Sequence, residues 1–259
     1  MLVRAAEDHD LAAIAKVALA NDEHAATDPG YVAHLREHGE FLVAERDGDV
    51  VGYAATRPVG GATMLCDLFI DPVHQGAGVG RRLLATAFEG REEIFTFSSR
   101  NPRALPLYVS CGLVPRWPLL YLTGPPTTPA AARAHLVPAG EAAVRELALT
   151  GVDRAPDYSL WGLADGGTGL VVELDGRVIA AGAADWEWLV HLAVAPDADA
   201  TEAVLAALAS GPARAAVPGP HPALRTLLAA GWRIDDFDHH MSSRDDLVDP
   251  RTVLSPSLA

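Results

Sequence analysis

A chain of 259 residues is long enough for one large domain or two ordinary ones, each with a core of its own. Its net charge of −14 argues against nucleic acid and anionic membrane surfaces as partners, and no apolar run reaches the length needed to cross a bilayer. Two cysteines, Cys66 and Cys111, are too few for a disulfide framework or a metal centre and read as small buried hydrophobes. No charged start followed by an apolar stretch opens the chain, so a cytoplasmic location is expected, and the use of Arg at every basic position but Lys16 suggests a GC-rich bacterial genome.

Leu2-Val3-Arg4-Ala5 reads as a short strand, and Leu11, Ile14, Ala15, Ala18 and Leu19 fall on one face of the helix that follows. Residues 22–40 are polar, broken at Pro29-Gly30, with Tyr31 and the histidines His24, His34 and His38 along a second helical stretch; each His reads as a satisfied surface group. Phe41 to Glu45 and Val50 to Ala54 are strand-like, and the Asp47-Gly48 pair between them marks a hairpin. The apolar run from Met64 to Ile70 reads as a buried strand, and Val79, Leu83, Leu84, Ala87 and Phe88 share one helix face.

Between that strand and helix lies His74-Gln75-Gly76-Ala77-Gly78-Val79-Gly80. Three glycines at a strand-to-helix junction let the backbone turn sharply and aim free N–H groups at one spot, where the helix dipole adds positive potential: a seat for phosphate. Arg81 and Arg82 follow instead of the Lys-Ser/Thr of a nucleotide P-loop, and the antiparallel-looking strands upstream do not suit a dinucleotide fingerprint.

The stretch resembles the pyrophosphate loop of the GNAT acetyltransferase superfamily, Gln/Arg-x-x-Gly-x-Gly/Ala after the fourth strand, here Gln75-Gly-Ala-Gly78-Val-Gly80. A second element is similar to the same family's Asn-x-x-Ala-x-x-Leu-Tyr helix with its closing Gly: Asn101, Ala104, Leu107, Tyr108, Gly112 and Leu113 match after a fifth strand at 93–98. Asn101 is expected to cap that helix with Pro102 at its first position, and Pro106 to kink it or to tighten its first turn. The resemblance implies an α/β, α+β mixed-sheet fold and direct transfer of acetyl from acetyl-CoA to a primary amine of a small molecule or peptide. It implies cofactor binding by Phe69, Ile70, Gln75, Gly76, Ala77, Gly78, Val79, Gly80, Arg81, Asn101 and Arg103. Tyr108 is the implied general acid, and Asp67 and Glu45 are the candidate bases. A rival reading is a non-catalytic acyl-CoA sensor, and a homodimer is left open.

Thr123 to Ala132, rich in proline, reads as a linker. Beyond it the first half recurs: Gly48 returns as Gly176, Leu68-Phe-Ile-Asp-Pro72 as Leu192-Ala-Val-Ala-Pro196, and Ala104 with Gly112 as Ala223 with Gly231. Two tandem GNAT-like domains follow: 1–123, a linker at 124–131, a degenerate copy at 132–245, and a tail at 246–259 read as a strap or loose end. In the copy Asp199 replaces Gln75 and Glu202 replaces Gly78, which places carboxylates where phosphate would rest.

Overall fold

The computed structural model describes residues 1–129, 131–162, 167–256 and 258. Ala130 of the expected linker, and Ser257 and Ala259 of the expected tail, lie outside them.

The chain forms two compact units, Met1–Arg116 with Met241–Leu247, and Trp117–His240 with Val248–Ala259. In the first, β1 (Leu2–Ala5), β2 (Glu40–Arg46), β3 (Asp49–Val59) and β4 (Ala62–Ile70) make an antiparallel run in that order, and β5 (Ile94–Ser98) joins β4 in parallel. Helices α1 (Leu11–Leu19) and α2 (Pro29–His38) precede β2, α3 (Val79–Ala87) bridges β4 to β5, and α4 (Ala104–Ser110) follows β5. The Asp47-Gly48 turn holds both residues at positive φ, 56° and 90°, as a two-residue hairpin requires. The core on the α3 face gathers Leu42, Ala44, Ala54, Leu65, Val79, Leu83, Leu84 and Leu113, and Met241 completes it.

The next strand, β6 (Val114–Thr123), leaves the first unit at Arg116, and its residues Leu119–Thr123 pair antiparallel with β11 of the second unit. There the element order repeats: β7 (Arg133–Val137), α5 (Ala139–Thr150), α6 (Ala155–Trp161), β8 (Thr168–Leu174), β9 (Arg177–Ala184), β10 (Trp188–Val194), α7 (Ala200–Ala209), β11 (Arg214–Pro218), α8 (Leu224–Ala229) and β12 (Arg233–Ser242). Asp175 and Gly176 repeat the positive-φ hairpin, at 51° and 77°. Strands β7 to β10 are antiparallel neighbours and β11 is parallel to β10, as β5 is to β4. The tail is a strap: Val253 exchanges backbone hydrogen bonds with Leu192, and Val253 and Leu254 are buried.

Candidate active site

Strand β4 is paired with β3 along its length but with β5 only over Thr63–Leu65, opposite Ile94–Thr96. The ladder ends where the Thr96 hydroxyl donates to the Leu65 carbonyl at 2.9 Å. Beyond that point the β5-facing edge of β4, from Cys66 to Ile70, carries backbone groups that β5 does not take up. At the same point the β3–β4 register slips, Ala55 facing Asp67 and Thr56 facing Leu65, so Cys66 is a bulge residue. The bulge resets the alternation of faces. Leu65 and Leu68 join the core under α3, whereas Phe69 turns the other way onto Tyr53, ring centroids 5.5 Å apart. Cys66 and Cys111 are not joined in a disulfide and are both half-buried, less enclosed than the sequence suggested.

From Ile70 the chain enters the glycine loop. Asp71 accepts from the Val73 amide at 3.0 Å, and Gly76 and Gly78 both stand at φ +81°, with Gly78 as the N-cap of α3. A side chain at either would be strained in this left-handed region. Gly80 is needed for a different reason: a Cβ there would lie 3.1 Å from Leu107 Cδ2 of α4. Behind Gly78 the first-turn amides of Val79, Gly80 and Arg81 have no acceptor within the helix, and the α3 dipole adds positive potential.

Gln75 braces the loop with its side chain. Its Nε2 reaches Asn21 Oδ1 and the Ile70 carbonyl, both at 3.2 Å, and its Oε1 accepts from Arg103 Nη1 at 2.5 Å. Asn21 at the end of α1 also donates to the Ile70 and Val17 carbonyls; nothing in the sequence singles this residue out. Asn101 Oδ1 accepts from the Arg103 amide at 2.9 Å, forming a turn, so α4 starts at Ala104 and not at Pro102. Pro106 then sits in the first helical turn, where its missing N–H has no partner to lose, so of the two expectations for it the kink has no cause. Arg81 is exposed, and Arg82 is drawn to the Met1 carbonyl at 2.9 Å.

Of the acid and base candidates, Tyr108 is buried in α4 against the core under α3, and Gly112, φ +90°, closes that helix. Asp67 is 5% exposed on the opposite face of β4. Burial foremost, and then Glu23, push its carboxyl up to about 7, while the neighbouring Tyr31 hydroxyl pulls it down. Glu45 lies apart from it and is already engaged: Arg4 Nε and Nη2 reach its Oε2 at 3.1 and 3.0 Å, and the same guanidinium holds the buried Asp10. The loop, Arg103 and Asn101 are thus brought together, Asp67 and Phe69 share a strand face, and Glu45 serves an ion-pair triad.

The second unit closes the corresponding places with its own side chains. Five residues separate β10 from α7, against eight between β4 and α3. Asp199 caps α7 by accepting from the amides of Thr201, at 2.8 Å, and Glu202, at 3.4 Å. Glu202 Oε1 in turn takes the Ala132 amide at 2.6 Å. Among the described residues no group of three or more His, Cys, Asp or Glu side chains could hold a metal ion, and no helix is long and apolar enough to cross a membrane.

Residues 37–114, which span the hairpin, the bulge, the glycine loop and α4, match the acetyltransferase (GNAT) domain family. No curated protein sequence matches the chain. Among solved structures, a Pyrococcus horikoshii protein assigned as an acetyltransferase aligns over 100% of this chain and 95% of its own, with 14% identity and a TM-score of 0.73. A tandem GNAT protein of the clavulanic acid biosynthesis pathway aligns over 96% of this chain and 99% of its own, with 16% identity and a TM-score of 0.63. A GCN5-related N-acetyltransferase of Kribbella flavida aligns over 93% and 70%, with 15% identity and a TM-score of 0.64. At such identities the likeness is one of fold, and it extends over both units. Residues 37–114 thus match the GNAT acetyltransferase domain, whose family uses acetyl-CoA as cosubstrate, in a chain with the tandem GNAT fold.

Proposed function

We propose that the first unit transfers acetyl from acetyl-CoA to a primary amine of a small molecule or peptide, without a covalent enzyme intermediate. The observation that carries this is the parting of β4 from β5 at the Cys66 bulge, on a line that ends at the open first turn of α3. The edge of β4 that β5 leaves beyond Leu65, short of the Ile70 carbonyl that Asn21 and Gln75 occupy, would offer backbone partners for the amides of the pantetheine arm, in the manner of strand addition. The amides of Gly76 and of Gly78 to Arg81 would hold the pyrophosphate, while the Ala77 amide donates to the His74 carbonyl at 3.4 Å; each charge-assisted bond contributes roughly 1.5–3 kcal/mol. Gln75, Asn101 and Arg103 would shape the entrance, because the Gln75–Arg103 bond ties the loop to the start of α4.

Asp67 is the better base of the two candidates, since Glu45 is held by Arg4. Its carboxylate would take one proton from the acceptor ammonium, freeing the nitrogen lone pair to attack the thioester carbonyl. Backbone N–H groups of β4 would stabilise the oxyanion as the C–N bond forms. As the C–S bond breaks, Tyr108 would donate its proton to the departing thiolate, provided the two come within hydrogen-bond reach. The second unit, with Asp199 and Glu202 at the helix start, would take no cofactor.

Calorimetry tests the reading. The wild-type chain should bind one acetyl-CoA, and Gly78→Glu, which has room for its Cβ but is strained at φ +81°, should bind none while amide exchange shows the first unit still folded. Equal binding by the variant, or two sites per chain, would overturn it.

A further inference from the structure

Among the described residues of the first unit, the buried side-chain oxygens Tyr31 Oη, Tyr53 Oη and Asp67 Oδ2 make no hydrogen bond of ordinary geometry, although the Tyr31 hydroxyl lies near enough to Asp67 to lower its carboxyl. They come from α2, β3 and β4. Ala55 pairs with Asp67 and Tyr53 with Phe69, so Tyr53 and Asp67 are diagonal neighbours on one sheet face. Helix α2 packs over β2 and β3 on that face and brings Tyr31 beside the carboxylate, whose charge pushes both phenols up from their ordinary range, after burial itself. All three residues are at least nine-tenths buried. Unsatisfied polar atoms are uncommon in native interiors, and a cluster of three asks for an occupant.

The chemistry of the three oxygens selects that occupant. A carboxylate can only accept, and a phenol oxygen can accept; Glu23 adds a second negative charge close enough to act on all three residues. An anion is repelled, and a neutral hydroxyl has one donor to offer. A primary ammonium has three N–H donors and no acceptor. Phe41 and Phe69 flank the Tyr53 ring, each with its centroid 5.5 Å away, and aromatic faces favour a nearby cation.

The second unit supplies an internal comparison. By strand register His191 stands where Asp67 does, beside a bulge at Val190, and Ala181 stands where Tyr53 does. Tyr158, two residues after Pro156, matches Tyr31, two residues after Pro29. There Glu146 joins the set: its Oε2 takes the Tyr158 hydroxyl at 2.6 Å, and its Oε1 lies 3.0 Å from His191 Nε2, leaving His191 Nδ1 as the one unpartnered atom. The copy without an open phosphate seat satisfies this cluster from its own chain; the copy with one leaves it open.

We propose that Tyr31, Tyr53 and Asp67 are the seat of the acceptor's ammonium group, and that the acceptor is a primary amine on an uncharged, apolar carbon skeleton. This rests on the acetyl-transfer reading and names the substrate class of the same site. A carboxylate near the amine, as in a free amino acid, would face Asp67 and Glu23 with like charge. Tyr31 and Tyr53 set specificity, while Asp67 binds the cation and then takes its proton.

The test uses the full chain with n-butylamine, n-hexylamine and phenethylamine as probes, 2-phenylethanol as the neutral analogue and phenylalanine as the anionic one. Thiol release gives kcat and KM, calorimetry gives acetyl-CoA affinity, and melting gives stability, for wild type, Tyr31→Phe and Tyr53→Phe. The expected result is acetyl-CoA affinity within twofold of wild type, amine KM raised tenfold or more in each variant, kcat changed less than threefold, and phenylalanine at least a hundredfold poorer than phenethylamine. Lowered melting temperature with unchanged KM would make the tyrosines structural and overturn the seat. A wild type that binds acetyl-CoA but acetylates none of the amines would overturn the seat and leave the cofactor reading standing. A wild type that binds no acetyl-CoA would overturn the transfer reading instead. The seat is then judged by thermal shift: stabilisation by phenethylamine, absent with 2-phenylethanol and in Tyr53→Phe, supports it, and equal shifts refute it.

Discussion

Asp67→Asn removes one ionisable group from the interior of the first unit at nearly constant volume, and its effect on stability can be worked out from the environment of the carboxyl. Burial and then Glu23 raise the group from its ordinary 3.8 to about 7, against the lowering influence of Tyr31. Unfolding returns it to the ordinary value. Between these two values the folded chain keeps a proton that the unfolded chain has lost, so stability falls as pH rises through the window. The penalty is absent below about pH 4, grows by about 1.4 kcal/mol per pH unit, and levels off above pH 7 at about 4 kcal/mol. Asparagine has no proton to lose. The variant should therefore match wild type at pH 4 and exceed it by about 4 kcal/mol at pH 8, while its rate of acetyl transfer collapses. Asp10, held low first by its hydrogen bond to Arg4, contributes equally to both proteins and cancels in the difference.

The assay must report on the first unit alone. All the tryptophans, Trp117, Trp161, Trp186, Trp188 and Trp232, belong to the second, so fluorescence is blind to the effect and serves as the internal control. Amide exchange at β3 and β4, corrected for the intrinsic pH dependence of exchange, gives the stability of the first unit at each pH. A difference between variant and wild type that stays flat from pH 4 to 8, or a variant less stable at pH 8, would refute the reasoning.

Two further substitutions probe buried polar clusters outside the cleft. Glu146→Ala strands His191 Nε2 and the Tyr158 hydroxyl in the interior of the second unit; at roughly 1–3 kcal/mol for each orphan, the loss should be about 3 kcal/mol, read by tryptophan fluorescence because Trp161 stacks on His191. Arg4→Ala leaves Asp10 buried without its guanidinium and should cost roughly 1.5–3 kcal/mol at pH 7 by exchange at β1 and β2. Arg4 lowers the Asp10 carboxyl, so this contribution is complete above the ordinary 3.8 and is lost as pH falls through the lower folded value. The wild-type advantage should therefore shrink toward pH 2.

The parts legible in the sequence are those whose requirement is local. Asp47-Gly48 and Asp175-Gly176 announce their hairpins because two successive positive-φ residues admit few side chains, and Gly76 and Gly78 announce the loop for the same reason. What the sequence hides depends on pairing at a distance. The Cys66 bulge carries no residue signature, since it is fixed by how β3 and β4 register, yet it decides that Asp67 and Phe69 face one side and Leu65 and Leu68 the other. Glu45 looks available until Arg4, 41 positions away, folds beside it. Helix α4 runs from Ala104, two residues past Pro102, although the Asn101 carboxamide accepts from the Arg103 amide as a cap would, so residue types name the contact but not where regular helix begins. The 124–131 segment stands out by composition, but pairing assigns strands to units, and β6 crosses from one unit to the other before the prolines begin.

The two units share a sequence of elements and diverge in what they leave unsatisfied, and that contrast gives the proposed division of labour a physical basis. In the second unit the start of α7 is capped by Asp199, Glu202 takes backbone amides of the incoming chain, and Glu146 takes the buried Tyr158 hydroxyl and one nitrogen of His191. Each of these contacts favours a folded chain that needs no ligand. In the first unit the α3 start is bare backbone behind Gly78, β5 leaves the β4 edge beyond Leu65, and three interior oxygens make no hydrogen bond of ordinary geometry. Such arrangements cost stability, and selection retains them where a bound molecule supplies the missing bonds. Asp67→Asn stands at the centre of this argument because stability and activity should move in opposite directions there, as a site that holds strain for its substrate requires.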